Sequence, residues 1–149
     1  MEEVLYIITR SIDSDLPSCS HGKAIAQSAH AANHLVYNNP GSVMIKSWLE
    51  QGAGFGTTIV LSGTANDIYS VLNQCETDKK VLSSAVYDPE YPYFVDSDVA
   101  PYIDTKYDTA PRVDRGKKVI LFRREMTCCY LFGQKSDVQN YVVHLDLYA

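Results

Sequence analysis

The sequence predicts an α/β fold, and three observations indicate this class. Val4 to Thr9 is an apolar, β-branched run, as expected of a strand buried on both faces of a sheet. His21 to His34 carries small and apolar residues at helical spacing. Strand-like and helix-like stretches then follow in the order helix, strand, helix. With 149 residues, 46% of them hydrophobic, residues 1–149 suit one globular domain.

Composition and charge narrow the class of partner. The formal net charge of −5 argues against broad, non-specific binding to nucleic acid, which depends on lysine and arginine. No apolar run approaches the roughly 20 residues of a membrane-spanning helix, and Glu2 and Glu3 stand where a secretory signal has basic residues. We therefore expect a cytoplasmic protein without membrane contact.

One basic cluster is predicted either to bind phosphate or to form a solvated face. Its members are Arg112, Arg115, Lys117, Lys118, Arg123 and Arg124. The cysteines number four and show no Cys-x-x-Cys spacing, so we expect free thiols. Cys128 and Cys129 should lie on alternate faces of a strand.

The helix that begins at Ser20 or His21 is predicted to end near Asn38-Asn39-Pro40-Gly41. Its core face is predicted from residues spaced four, three and four apart, namely Ile25, Ala29, Ala32 and Val36. A polar edge repeats this spacing with Lys23, Gln27, His30 and His34. The polar edge suits the wall of a pocket. His30 and His34 have the spacing of a zinc pair, but no third ligand stands out, and we expect no metal.

The remaining elements follow from periodicity and turn residues. A loop is expected from Ser11 to Ser20, and the other predicted helices are Ser42–Gln51, Asn66–Cys75 capped by Thr64, and a last helix capped by Ser136-Asp137 that includes His144. The other predicted strands are Thr57–Leu61, Val81–Tyr87 ended by Asp88-Pro89, and the pair Val119–Arg123 and Thr127–Phe132. The last two form either a hairpin or one bent strand.

The stretch from Pro89 to about Gly116 is rich in tyrosine, aspartate and proline, and it lacks helical or strand periodicity. Nearly thirty residues without regular structure are uncommon inside a domain and tend to be functional or disordered. Aromatic residues argue against disorder. We expect an ordered arm anchored by tyrosines, which serves as a lid or contacts the second subunit of a homodimer.

The pairs Gly22-Lys23 and Ala26-Gln27, followed by His30-Ala31-Ala32, resemble the opening helix of the peptidyl-tRNA hydrolase 2 family. The resemblance implies an α/β domain with a small mixed sheet flanked by helices, here with an insertion at about 89–116. It also implies an esterase that releases peptide from the 3′ end of tRNA without a metal or other cofactor. The catalytic residues that match by position are Lys23, His30 and Asp88. A carboxylate or imidazole would place the water, and Lys23 would supply positive charge.

The chain departs from the family at Asp88, because Pro89-Glu90-Tyr91-Pro92 replaces the family's Ala-Gly-x-Thr turn. This departure favours an alternative, in which the scaffold binds, sequesters or cleaves a small nucleotide or cyclic nucleotide. The predicted ligand-binding residues are Gln27, His34, Tyr91, Tyr93, Arg123 and Arg124. A third alternative is a protein-interaction domain whose exposed tyrosines contact a partner.

Overall fold

A computed structural model of the protein describes residues 2–11 and 15–148, so residues 12–14 of the predicted loop lie outside the described residues. The helices are α1 (His21–Asn38), α2 (Val43–Gln51), α3 (Ala65–Cys75) and α4 (Lys135–Val142), with a 3₁₀ helix at Ala100–Tyr102. The strands are β1 (Glu3–Thr9), β2 (Thr58–Ser62), β3 (Leu82–Asp96), β4 (Val113–Arg115) and β5 (Lys118–Gln134).

The chain forms two compact units. The first comprises Met1–Val86 and Thr127–Ala149, and the second comprises Tyr87–Met126. The long strands β3 and β5 each contribute residues to both units. The second unit contains the whole of the predicted insertion and adds the first part of β5 to it. One domain with an insertion at about 89–116 stays a prediction.

In the part of the chain that the structure describes, five strands form one mixed sheet in the order β2-β1-β5-β3, and β4 also pairs with β5. β1 runs parallel to β2, with Leu5 opposite Thr58. It runs antiparallel to β5, with Leu5 opposite Phe132. β1 is therefore central, as its buried sequence predicts, and the α/β class with a small mixed sheet flanked by helices is confirmed.

The core of the first unit lies between the sheet and helices α1 and α2. Alternation along β1 turns Leu5 and Ile7 toward these helices, where they join Leu35 and Trp48 in one buried cluster. The Trp48 ring packs edge-on against Phe132, with 5.3 Å between ring centroids. Its Nε1 donates a hydrogen bond of 2.8 Å to the carbonyl oxygen preceding β2, and this bond fixes the end of α2 against the strand.

Helices α3 and α4 contact each other, and α4 also contacts β1. Thr64 caps α3 because its hydroxyl accepts from the Asp67 backbone, while the Asp67 carboxylate accepts from the Thr64 backbone. The start of α4 differs from prediction, since the helix begins at Lys135 rather than after Ser136-Asp137. It also ends at Val142, so His144 lies beyond the helix.

The predicted core face of α1 is wrong by one residue. Ile25 is 69% exposed and Val36 is 42% exposed, whereas Ala24, Ala31 and Leu35 are buried. In this alanine-rich helix the two stripes are similarly apolar, so periodicity alone does not choose between them. The choice of Leu35 over Val36 buries the larger side chain against the sheet.

The predicted end of the third strand at Asp88-Pro89 is also wrong, because β3 continues to Asp96. β3 is the last strand in the sheet order, so one of its edges has no neighbouring strand among the described residues. A proline lacks the backbone N–H that a central strand needs, but an edge strand tolerates it. The free edge of β3 accommodates one of Pro89 and Pro92, because in a regular strand the N–H positions of residues three apart face opposite edges.

Two other parts of the sequence form more regular structure than predicted. Residues 118–134 form one strand, which confirms the single-strand alternative over the hairpin. The stretch 89–116 contains the end of β3, the 3₁₀ helix and β4, although its sequence shows no periodicity. These elements are short or rich in proline, and short elements give weak periodic signals.

The described cysteines are free, as predicted, and all of them are buried. Cys128 and Cys129 are fully buried on successive positions of β5. Burial raises the pKa of the Cys128 thiol to about 12, although a hydrogen bond from Thr127 acts in the opposite direction.

Within residues 2–11 and 15–148, no helix combines the length and the apolar character that crossing a bilayer requires.

Candidate functional site

The predicted site residues are divided between the two units. Those in the first unit are Lys23, Gln27, His30 and His34, all on α1. Those in the second unit are Asp88, Tyr91, Tyr93, Arg123 and Arg124, on β3 and β5. The predicted catalytic residues therefore come from both units.

Lys23 is held at the start of α1. Its backbone N–H donates to the Ser20 hydroxyl that caps the helix, and its Nζ donates a 2.6 Å hydrogen bond to the Ser18 carbonyl oxygen. Ser18 has a φ of 59°, a left-handed conformation that is uncommon for serine. Partial burial lowers the pKa of Lys23 from its usual value, and nearby Cys19 acts in the opposite direction. The result is a positioned amine with a perturbed pKa.

The other polar residues of α1 have different environments. Gln27 is buried, and its side-chain carbonyl accepts a 2.7 Å hydrogen bond from the Thr127 hydroxyl. His34 Nδ1 lies 3.0 Å from the Tyr130 hydroxyl. Gln27 and His34 thus connect α1 to β5, whereas His30 is exposed. Among the described residues, no group of three or more His, Cys, Asp or Glu could hold a metal ion.

In the second unit, the tyrosines predicted to bind ligand differ in exposure. Tyr91 is fully buried, and its ring packs edge-on against Tyr93 with 5.0 Å between centroids. Tyr91 therefore supports Tyr93 and does not itself line a pocket. Asp88 accepts a 2.9 Å hydrogen bond from the backbone N–H of Glu90.

A pocket of about 500 Å³ lies within the second unit. Its lining combines aromatic, aliphatic and charged side chains, contributed by Tyr93, Val95, Ile103, Tyr107, Leu121, Arg123, Arg124 and Glu125. Tyr93, Arg123 and Arg124, which were predicted to bind ligand, are thus brought together. Pockets of this size and mixed lining are typical of small-molecule sites.

Polar contacts orient the side chains around this pocket. The Tyr93 hydroxyl donates a hydrogen bond to Glu125 Oε2. The Arg124 guanidinium lies over the Tyr87 ring, 3.9 Å from its centroid. A cation at this distance is attracted to the face of the ring. Tyr107 is 62% exposed, so most of its ring is accessible.

An ion-pair network stabilises the segment that contains Tyr107. Arg112 donates from Nε to Asp108 at 2.7 Å and from its terminal nitrogens to the carbonyl oxygens of Ala100 and Ile103. Arg123 donates from Nε and Nη2 to the same Asp108, each at 3.3 Å. None of these bonds uses Arg123 Nη1. The contacts of Arg112 and Arg123 with Asp108 partly neutralise the predicted basic cluster. Lys118 of the same cluster pairs with Asp96 at 2.6 Å.

We expect Asp108→Asn to lower the free energy of unfolding at pH 7 by about 2 kcal/mol, because two charge-assisted contacts are lost. The hydrogen bond from Arg112, aided by Arg123, holds the pKa of Asp108 below its usual value against the effect of burial. A carboxylate with a lowered folded-state pKa stabilises the fold above its unfolded-state pKa of about 3.9. That contribution disappears as pH falls through the lowered value.

Urea unfolding from pH 7 down to pH 3 measures this effect. The difference between wild type and Asp108→Asn should narrow below about pH 4, near the unfolded-state pKa of aspartate. The exposed Asp98 provides a control, and Asp98→Asn should leave unfolding at pH 7 unchanged. A difference that stays constant down to pH 3 would contradict the network.

The pocket residues absent from the predicted set are Val95, Ile103, Tyr107, Leu121 and Glu125. A signal for part of this set is present in the sequence. In one continuous strand, Leu121, Arg123 and Glu125 alternate onto one face. The two-segment interpretation of this stretch hid that alternation. Ile103 and Tyr107 lie outside the strands, and no periodicity identifies them.

Comparisons with known proteins do not assign this chain to a family. No protein-family model matches it, and no curated protein is significantly similar to it. The resemblance to the peptidyl-tRNA hydrolase 2 family therefore depends on the residues themselves, above all those of α1.

Proposed function

We propose that the protein binds a small nucleotide in the pocket of the Tyr87–Met126 unit. The observation that supports this proposal most strongly is the meeting of two tyrosine rings and two arginines around one pocket. A tyrosine ring stacks on a nucleobase, which contributes about 1–3 kcal/mol per base. An arginine guanidinium binds phosphate through two parallel hydrogen bonds.

The arrangement of the pocket suits these tasks. Tyr93 is fixed by Tyr91 behind it and by Glu125 at its hydroxyl, so it offers a rigid surface for a base. Arg123 is held by Asp108, which reduces the entropy lost when it binds a phosphate. Arg124 stands at an exposed position beside the pocket, with its guanidinium over the Tyr87 ring. The residues are therefore largely preorganised for a small anionic ligand with an aromatic ring.

The charge of the chain favours a small nucleotide over a long nucleic acid. The net charge is −5, and the second unit also carries exposed aspartates at positions 96, 98, 104 and 114. A polyanion would be repelled by these carboxylates over distances up to the screening length, about 8 Å at physiological salt. A mononucleotide inside the pocket places its phosphate near the arginines instead.

The scaffold that we propose is a diverged member of the peptidyl-tRNA hydrolase 2 family. The motif from Gly22 to Ala32 supports this assignment because it lies on the first helix after the central strand β1. The mixed sheet with flanking helices is compatible with the same family. We propose a cytoplasmic location because nucleotides and tRNA are found there.

Isothermal titration calorimetry with a panel of ribonucleoside monophosphates, diphosphates and cyclic nucleotides tests the proposal. We expect saturable binding at one site per chain and a rise in melting temperature. A ligand at one hundred times its Kd stabilises the fold by about 2.7 kcal/mol. The absence of both heat and thermal shift across the panel at millimolar concentration would contradict nucleotide binding.

Lys23 favours a second candidate function, a peptidyl-tRNA hydrolase-like esterase. Its lowered pKa and its anchored position at the start of α1 are typical of functional lysines. His30 lies about two helical turns further along the same helix, where it could orient water or accept a proton. The resemblance assigns both residues to catalysis, with Asp88 as the third.

If this activity is present, Lys23→Met should reduce turnover of a peptidyl-tRNA substrate at least about tenfold, since transition-state charge stabilisation is lost. His30→Asn should reduce it as well. Lys46→Met removes a surface lysine of α2 and serves as the matched control. Wild-type turnover in both α1 variants would exclude this site.

A further inference from the structure

We propose that the exposed side of α1 is a dimerisation surface, which packs antiparallel against the same surface of a second copy of this chain. The α1 stripe consists of Ile25, Ala29, Ala32 and Val36, whose spacing is typical of a core face. Ile25 is nevertheless 69% exposed and Val36 is 42% exposed. Ala29 is also exposed, and Ala32 is partly buried. An apolar stripe on the surface is typical of a contact with another molecule.

The α1 stripe has the same pattern in both chain directions. Its spacings are four, three and four residues, with the larger Ile25 and Val36 at the ends and two alanines between them. In a two-fold symmetric dimer, each copy contributes the same surface to the interface. Antiparallel packing places Ile25 opposite the partner's Val36 and Ala29 opposite the partner's Ala32. The small alanines allow the helix axes to approach to about 8 Å.

A pocket beside Val36 can receive the partner's Ile25. It has a volume of about 340 Å³ and lies at the turn between α1 and α2, where Val36, Val43, Ile45 and Leu49 contribute apolar side chains. In the antiparallel arrangement, the partner's Ile25 projects toward Val36 and therefore toward this pocket. Two-fold symmetry forms the same contact at the other end of the interface. The chain thus has both the projecting side chain and the pocket, which favours a second copy over an unrelated partner.

The distribution of charge also suits a second copy. Because the net charge of the chain is −5, two copies repel each other on average. α1 contains no aspartate or glutamate, and at pH 7 its one formally charged residue is Lys23. Beside the pocket, the charge of Lys46 is balanced by Glu50 at 3.9 Å. The centres of protein interfaces are depleted in charged residues, as the α1 stripe is.

The surface has the length that a stable dimer needs. A standard interface buries about 800 Å² per partner, which corresponds to a patch about 30 Å across. α1 has 18 residues and is therefore about 27 Å long. The pocket and the 82% exposed Val43 extend the apolar surface beyond the end of α1, and symmetry repeats this extension on the partner. The stripe, the pocket and Val43 together provide a face of the required size.

Sedimentation velocity of the full chain over a concentration series tests the dimer. We expect a species of twice the chain mass of 16.6 kDa. Ile25→Lys should weaken dimerisation at least about a hundredfold, because symmetry places a charge in two apolar contacts at once. Val143→Lys is the matched control. Val143 is 79% exposed, follows α4 and lies outside the stripe and its pocket, so this variant should dimerise as the wild type does.

Crosslinking tests the antiparallel register. Positions 25 and 36 of one helix are about 17 Å apart, whereas the register brings each of them next to the other position on the partner. The double variant Ile25→Cys and Val36→Cys should form covalent dimers with a thiol crosslinker that is too short to span 17 Å. Each single variant should not, because the two copies of one position are also about 17 Å apart. The described native cysteines are buried, which protects them from the reagent.

Three results would overturn the proposal. The first is a wild-type chain that stays monomeric at about 100 µM, where a dimer with a micromolar Kd is largely formed. The second is unchanged dimerisation in Ile25→Lys, or an equal loss in Val143→Lys, since either result would separate dimerisation from the α1 stripe. The third is crosslinking of the single variants, which would indicate parallel and not antiparallel packing.

Discussion

Replacing Gly56 by alanine is expected to lower the free energy of unfolding by about 3 kcal/mol, from left-handed backbone strain together with overpacking. Gly56 has a φ of +73°, and an added Cβ would lie 2.1 Å from Cε2 of Trp48. Trp48 is buried against Phe132, and its indole nitrogen is bonded to Thr57. The ring therefore has little freedom to move away from the new methyl group.

Gly41 offers a matched control in the same unit. Its φ of +76° is almost identical, but an added Cβ would meet nothing within 4 Å. Gly41→Ala should therefore cost only the backbone term, about 1 kcal/mol. Urea unfolding followed by the fluorescence of Trp48 measures both variants. Equal losses in the two would show that Trp48 does not pack over Gly56.

Replacing Arg124 by alanine is expected to weaken nucleotide binding about 10- to 100-fold, because hydrogen bonds between a guanidinium and phosphate contribute about 1.5–3 kcal/mol. Arg124 is the better test of the pocket because Arg123 also binds Asp108 and the carbonyl oxygen of Asp104. Loss of Arg123 would change the segment that carries Tyr107 as well as the ligand contact. Among the described residues, the Arg124 side chain contacts the ring of Tyr87 and takes no part in the bonds to Asp108.

Arg115 provides the matched control for this prediction. It is an exposed arginine on β4 in the same unit, outside the pocket lining. Arg115→Ala removes the same charge, so any long-range electrostatic effect is shared by the two variants. Affinity should be close to wild type in Arg115→Ala and intermediate in Arg124→Lys, which keeps the charge without the planar fork. Similar losses at Arg115 and Arg124 would indicate a general charge effect and no specific contact.

The central position of β1 and the beginnings of α2 and α3 could be predicted because the informative signals are local and strong. The apolar run of β1 indicated a central strand, and Ser42 and Thr64 marked the beginnings of α2 and α3 through their side-chain caps. The face of α1 could not be chosen because alanines occur on both sides of the helix. Only the fit of Leu35 against the sheet, which is a tertiary effect, decides it.

Part of the pocket lining was predicted, for an equally physical reason. Tyr93, Arg123 and Arg124 were predicted from residue type alone, because tyrosine and arginine are common in ligand sites. All three line one pocket. Tyr91 belongs to the same run of residues but is buried, since two positions along a twisted edge strand can differ greatly in exposure. Tyr107 joins the pocket through the contact of Arg123 with Asp108, two residues 15 apart in sequence, and a local pattern does not encode such a pairing.

An amide NMR titration of the ¹⁵N-labelled wild-type protein with GMP tests the central claim most directly. If the nucleotide occupies the pocket of the second unit, the largest shift changes should occur at Tyr93, Tyr107 and residues 121–125. The amides of α1 from Lys23 to His34 should change little. Shift changes concentrated on α1, or none at saturating GMP, would contradict a nucleotide site in this pocket.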